Sequence, residues 1–454
     1  MNKISAIITA LATGAALTGC TFGASIDTLM TPPKLGPEQE QIYSELTRSL
    51  GTSNISLKYP KSGKYLSAFI IEDIDGDGGN EALVFYERNN HASDENPLRI
   101  NILDKKDDGQ WSSVYDKAAE GSEIEKVIIS KLGSNDRINI IIGTSMINRS
   151  EKNVTIYNYV DGVLQDPPTF SRPCSYIDVR DLDMDGELEF LTITGSSGSE
   201  APAKVVIYTL GSDGQYFPMI NELSGGFTDF EVNYGDLGSG RTGIFVDSYS
   251  APNAIQSDVF YLDDNKENNS KMLVKVSETS VKNDDNARPA GCTSFDIDGD
   301  GQPEIPVQFL APGYTDSPLG EQLRLTEWKQ INSDNKLETR YISYYSISDG
   351  YIFLFPERWK GKVTVKRDIV NDEIVFYSYT TDKEKNVIPG RELLHICCVE
   401  DEASREDRLS WDYMLMHTKG DSACLAQISE TEDTDGDGLS LTMGEAAVGF
   451  RYRD

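Results

Sequence analysis

The sequence predicts a mainly β fold built from about five repeats, followed by a smaller α+β unit. Three observations carry this reading. Segments 67–86, 176–194 and 293–309 share one grammar, an Asp-rich turn between two β-rich runs. Two intervening segments, 126–142 and 230–246, keep that frame without its acids. The apolar residue at the second turn position recurs as Ile74, Leu132, Leu182, Leu237 and Ile297, 58, 50, 55 and 60 residues apart. A period of this length with strands throughout indicates a propeller-like array, not a helical solenoid. A second hairpin fills the interval, as in 98–104 with 110–115 and 204–209 with 215–220, so each repeat reads as four strands. The expectation is a β-propeller of about five four-stranded blades over 54–346, with room for a sixth assembled from the chain ends.

The N-terminus precedes that array with three elements. Residues 1–19 carry Lys3 and an apolar run over 4–17, shorter than the ~20 residues a membrane span needs, so they read as a signal peptide. Leu17-Thr18-Gly19-Cys20 resembles the lipobox of bacterial lipoproteins. The resemblance implies cleavage before Cys20, lipidation of its thiol, and anchoring at the extracytoplasmic face of the cell membrane. Residues 20–36, with Pro32 and Pro33, read as a tether. Residues 37–50 place Ile42, Leu46 and Leu50 at four-residue steps behind Pro37, the pattern of a short amphipathic helix.

After the array, 350–454 reads as an α+β domain. Strands are expected over 373–380, 392–400 and 424–429, and helical stretches near 405–416 and 441–450. The five cysteines after Cys20 are Cys174, Cys292, Cys397, Cys398 and Cys424, an odd set that suits buried thiols or a single long-range bridge.

Charge narrows the function classes. Forty-two Lys and Arg against 74 Asp and Glu give a net charge of -32, which repels phosphate backbones and excludes nucleic acid as a partner. The acids are placed. Asp73, Asp75, Asp77 and Glu81 occupy turn positions 1, 3, 5 and 9, with Gly78 at position 6. Asp181, Asp183, Asp185 and Glu189 repeat the spacing, as do Asp296, Asp298, Asp300 and Glu304. Oxygen ligands at alternate positions converge on one hard cation, and strands on both sides separate these turns from EF-hands. Calcium is the expected ion. Asp433, Asp435 and Asp437 begin the same way, but Leu441 at position 9 leaves that segment as a solvated loop.

These turns resemble the repeats of bacterial surface proteins of the FG-GAP and VCBS type, in which an Asp-rich loop joins two strands of a propeller blade. The layout from lipobox to C-terminal domain is similar to that of clostridial-type surface lipoproteins. The resemblance implies an architecture without naming an activity.

Catalytic signals are sparse. His91, His395 and His417 are scattered, and no nucleophile elbow, zincin motif or phosphate loop is present. Trp111, Trp328, Trp359 and Trp411 suit core packing or blade edges better than a sugar platform. The leading expectation is a non-enzymatic module that binds a protein or glycan partner. A polysaccharide lyase or hydrolase, and a structural platform in the envelope, are the alternatives.

Overall fold

The computed structural model of the chain describes residues 35–89, 97–134, 137–146, 152–160, 162–165, 167–196, 202–225, 228–238, 240–250, 254–265, 270–276, 288–429 and 436–453. Cys20, His91, Asp433 and Asp435 lie outside them. Helix α1 (Pro37–Leu50) starts behind Gly36, whose amide donates to the Gln39 side chain, and stops at Gly51 in a left-handed conformation. It buries Ile42 and Leu46.

Antiparallel sheets then follow one another along the chain. The first holds β2 (Phe69–Glu72), β3 (Glu81–Arg88), β4 (Leu98–Lys105) and β5 (Trp111–Ala118), with β1 (Ile55–Leu57) pairing the far half of β3. The second holds β6 (Glu123–Lys131), β7 (Ile138–Ser145) and β8 (Lys152–Tyr157), then a small hairpin of β9 (Tyr159–Val160) and β10 (Val163–Leu164), then β11 (Phe170–Cys174) beside β8. The third runs through β12 (Tyr176–Arg180), β13 (Glu189–Thr194), β14 (Lys204–Leu210) and β15 (Tyr216–Glu222). The fourth comprises β16 (Asp229–Asp236), β17 (Thr242–Ser250), β18 (Ala254–Asn265) and β19 (Ser270–Lys275). In the fifth, β20 (Ile305–Leu310), β21 (Arg324–Ile331) and β22 (Leu337–Ser346) continue into β23 (Tyr351–Leu354). Its leading strand is reduced to a bridge between Phe295 and Glu304. The sixth contains β24 (Val363–Asp368), β25 (Glu373–Thr381), β26 (Val387–Val399), β27 (Met414–Lys419) and β28 (Ser422–Ile428).

Each central strand is buried on both faces, and its alternate side chains serve two different neighbours. Leu83 and Phe85 pack with Ile140 and Ile142 of the second sheet, while Val84 and Tyr86 pack on α1. Ile141 faces Phe190 of the third sheet, whose Leu191 and Ile193 face Ile244 and Val246 of the fourth. Phe245 in turn meets Ile305 of the fifth. This double burial explains why the strands read as apolar runs. The five marker residues confirm the common frame: Ile74, Leu132, Leu182, Leu237 and Ile297 are all at most 6% exposed.

The two ends of the stack are capped differently. Helix α1 covers the first sheet, whereas the sixth sheet packs on the fifth through Tyr344, Phe353, Trp359 and Phe376. Among the described residues no core cluster joins the first sheet to the sixth, so packing does not close the sheets into a ring.

The C-terminal unit departs from expectation in several places. The expected handover at 346–350 falls in the β22–β23 hairpin, where Ser346 pairs with Tyr351, and the last strand, β29 (Phe450–Tyr452), returns to pair with β23. The repeat array and the C-terminal unit therefore share a sheet. Where the sequence suggests a helix over 405–416, α2 (Glu402–Ser410) ends early and Met414–Lys419 is a strand, paired with β28. Helix α3 (Met443–Gly449) starts at a capping box between Thr442 and Glu445. Cys398 and Cys424 sit directly opposite each other on β26 and β28 and form a disulfide, while Cys174, Cys292 and Cys397 are buried thiols. Trp111, Trp328 and Trp359 are core residues, and Trp411 is half exposed.

Candidate metal centres

The three acidic turns connect the first two strands of their repeats, and their backbones follow one template. Position 6 has a positive φ in each, 90° at Gly78, 90° at Gly186 and 93° at Gly301. Only glycine adopts that conformation without strain. Position 4 is also left-handed, filled by Gly76, Met184 and Gly299. The tight curl aims the position-1 carboxylate inward. Asp73 accepts from the Gly76 amide at 2.6 Å and the Gly78 amide at 3.0 Å, and Asp296 repeats this with Gly299 at 2.6 Å and Gly301 at 2.9 Å. Asp181 accepts from Gly186 at 3.0 Å, but its Oδ1 is buried without a hydrogen-bond partner.

Position 9 opens the following strand at Glu81 and Glu189 and directly precedes it at Glu304, and all three are at most 5% exposed. Each glutamate accepts one hydrogen bond, from the amide of its marker residue Ile74, Leu182 or Ile297, at 2.9, 2.8 and 3.0 Å. Burial, opposed by that bond and reinforced by the neighbouring aspartates, pushes their pKa values up to about 7, 8 and 7. A buried acid among other acids stays charged only with a counter-charge. The oxygens converge accordingly. Carboxylate atoms of Asp73, Asp75 and Glu81 lie within 4.8 Å of one another, as do those of Asp181, Asp183 and Glu189, and those of Asp296, Asp298 and Asp300.

The remaining predicted residues play other parts here. Asp77 and Asp185 hold their own turns through the amides of Gly79 at 2.6 Å and Glu187 at 2.8 Å. Glu304 stays outside the third trio, yet its Oε1 is buried without a partner. Asp183 Oδ1 is likewise buried and unpartnered. Orphaned buried carboxylate oxygens are costly, and all-oxygen donor sets fit a hard divalent cation. The three groups could hold a metal ion.

Residues distant in sequence complete these sites. Asp104 lies opposite Glu81 across β3 and β4, and the Tyr159 hydroxyl donates to it at 3.0 Å. A cleft of about 940 Å3 opens there, lined by Asp75, Asp77, Glu81, Asp104, Asp107 and Asp108. At the second turn Lys271 Nζ stands 2.8 Å from Asp183 Oδ2. At the third, Tyr341 donates to Asp298 at 2.7 Å and Gln330 to Asp300 at 2.6 Å. Strand pairing within a sheet brings in Asp104, Tyr341 and Gln330, packing of the fourth sheet on the third brings in Lys271, and no local spacing signals them.

The two acid-poor turns differ at the decisive position. Pairing with the preceding strand places Asn139 opposite Ser130 and Gly243 opposite Gly235, where Glu81 sits opposite Glu72. Asn139 is buried but neutral, accepting from Asn158 at 3.0 Å. At Gly243 a Cβ would lie 2.8 Å from Leu237 Cγ, so no side chain fits.

A second cleft, of about 680 Å3, lies between the third turn, β22 and α3. Ile342, Leu354 and Phe355 supply apolar lining, and Arg340, Lys360 and Arg451 line it together with Asp298, Glu357 and Glu445. His395 and His417 lie elsewhere. His395 contacts Glu373 at 2.8 Å and Glu392 at 3.3 Å, and His417 stacks on Tyr452.

No family model matches the chain, and no curated protein matches it. Among solved structures, it is similar to a hypothetical selenium-binding protein from Sulfolobus tokodaii at 12% identity and a TM-score of 0.27, covering 48% of this chain and 57% of that one. The chain thus spans little more than half of that protein. It is also similar to a Bombyx mori GH32 beta-fructofuranosidase, at 11% identity and a TM-score of 0.26 over 82% of this chain and 80% of that one. An endo-1,5-alpha-L-arabinanase from Thermotoga petrophila follows at 10% identity and 0.17, over 75% and 96%. Likenesses this weak carry no argument about activity, and the description of the fold rests on its strand pairing.

Proposed function

We propose that the chain is a calcium-stabilised binding module of propeller type, related to FG-GAP and VCBS repeat proteins and held at the extracytoplasmic face of the cell membrane through Cys20. The observation that carries the calcium reading is the buried glutamate at position 9, present in three turns together with converging aspartates and absent from the two turns that lack them. The propeller reading is supported by the leading strands, which lie side by side. Lys126 on β6 pairs with Asp178 on β12 at 2.9 Å, and Tyr234 on β16 donates to the same Asp178 at 2.8 Å. Asn233 then donates to the Ser294 carbonyl ahead of the fifth sheet at 2.7 Å. In a propeller those strands surround the axis.

The cleft beside the third turn is where a partner fits. It sets Arg340, Lys360 and Arg451 among Asp298, Glu357 and Glu445 over an apolar lining, so both signs of charge meet there, which suits a glycan or a protein segment with polar and apolar groups. The full chain, incubated with neutral and acidic polysaccharides in calcium, should bind one of them without consuming it, and Arg340→Glu should weaken that binding at least tenfold. Turnover that persists through purification would favour the hydrolase or lyase reading instead.

A further inference from the structure

The three acidic turns are not equivalent, and the difference comes from a lysine 88 residues beyond the second one. Lys271 lies on β19, in the fourth sheet, and reaches across to the second turn in the third sheet. Its ammonium is 2.8 Å from Asp183 Oδ2 and 3.2 Å from Asp264 Oδ1. Among the described residues, the position-3 acids of the other two turns form no ion pair with a lysine or arginine, although Lys105 and Lys106 line the cleft of Asp75 and Arg340 that of Asp298. Asp75 accepts from the Asp77 amide, and Asp298 from the Tyr341 hydroxyl. Neutral donors of that kind leave a carboxylate's charge in place for a cation, whereas an ammonium neutralises it.

We propose that Lys271 is a tethered competitor for the divalent cation at the second turn. The inference rests on the calcium reading of the turns. Asp183 is only 9% exposed, and Asp181 Oδ1 and Asp183 Oδ1 are both buried without partners, so the turn still holds unclaimed oxygen ligands beside the lysine. An ammonium and a divalent ion sharing those oxygens repel one another, so the ion enters only as Lys271 leaves or at reduced affinity. Asp264 supplies the position to which the ammonium retreats. Its side chain is 74% exposed and free to follow the lysine outward.

The geometry also ties cation binding to the seam between the third and fourth sheets. Across that seam Lys275 donates to the Glu222 carbonyl at 3.0 Å and Asn221 to the Leu273 carbonyl at 3.2 Å. Lys271 is a further tie, and a cation at the second turn would exchange it for a metal bridge within one turn. The chain thus carries two tight sites, at the first and third turns, and one weaker site whose occupancy follows the cation concentration.

Calcium titration calorimetry on the full chain tests this. The unmodified chain should show two tight sites and a third at least tenfold weaker. Lys271→Met, which keeps the aliphatic stem, should tighten the third at least tenfold and leave the other two unchanged. Asp264→Asn, which removes the retreat position without touching the turn, should weaken the third site several-fold. Three equal sites in the unmodified chain would overturn the proposal. So would two tight sites and one weak site that neither substitution moves, a result that leaves the calcium reading standing. No calcium uptake at any site would overturn both.

Discussion

The Asp73 turn and the Leu132 turn occupy equivalent places in adjacent repeats, yet one carries a cluster of acids and the other an amide. Glu81 and Asn139 sit at the same register opposite their leading strands, equally buried, behind marker residues that are equally buried. The fold therefore does not need the acid: the Leu132 turn closes without one. What the acid adds is a buried carboxyl, raised in pKa and surrounded by aspartates, so that the Asp73 turn could hold a metal ion. The repeats supply a frame, and the metal-ready turns are a modification of it.

If that contrast is right, its largest consequence falls on the position-3 aspartates. A site that binds calcium at about a hundredth of its free concentration gains about 2.7 kcal/mol by linkage. Asp75→Ala and Asp298→Ala should each remove roughly that much of the calcium-dependent stability, and Asp183→Ala less. Asp236→Ala should remove none, because its turn has no buried acid at position 9. Denaturant titrations with and without calcium measure all four.

The reverse exchange is a sharper test. Asn139→Glu places a carboxylate in the same buried slot, but position 1 there is Lys131 and among the described residues no trio of acids converges. It should cost about 2 kcal/mol by desolvation, with no rescue by calcium. Rescue would show that the slot alone makes the site.

Acidity separates the two kinds of turn again, with a smaller effect. Burial raises the folded-state pKa of Glu81, Glu189 and Glu304 to about 7, 8 and 7, above the ordinary value of about 4.3. A raised carboxylate favours the folded state at low pH and loses that contribution as pH rises through its folded value. In chelator, stability should therefore fall between pH 6 and pH 8, by on the order of 1 kcal/mol per turn. With calcium bound the carboxylates stay ionised and the slope should vanish. Melting curves at the two pH values, in both conditions, decide it. Smallest is the backbone effect: Gly301→Ala, at a φ of 93° with open space around it, should cost about 1 kcal/mol through strain alone.

Much of this contrast was legible in the sequence, because turns and their flanking strands are local. The alternate acids, the glycine at position 6 and the recurring apolar marker all lie within one turn. The burial of Glu81, Glu189 and Glu304 follows from their place at the start of a two-sided strand. What lay hidden was non-local. Tyr341, Gln330 and Asp104 reach the turns through strand pairing and Lys271 through packing of one sheet on the next, from 23 to 88 residues away, and no spacing rule announces them. The continuity of the fifth sheet through β23 and β29 was hidden for the same reason. Met414–Lys419 misled locally as well: its mixed apolar pattern follows a helix directly, and only pairing with β28 makes it a strand.

Under the calcium reading, three buried, acid-rich turns need a cation which the other two do not. The most direct measurement is thermal unfolding of the full chain in chelator and in millimolar calcium, alongside calorimetric counting of bound ions. Three sites, two tight and one weak, with melting more than ten degrees lower in chelator, are predicted. Identical melting in both conditions with no calcium uptake would contradict the account and leave the three turns as solvated loops.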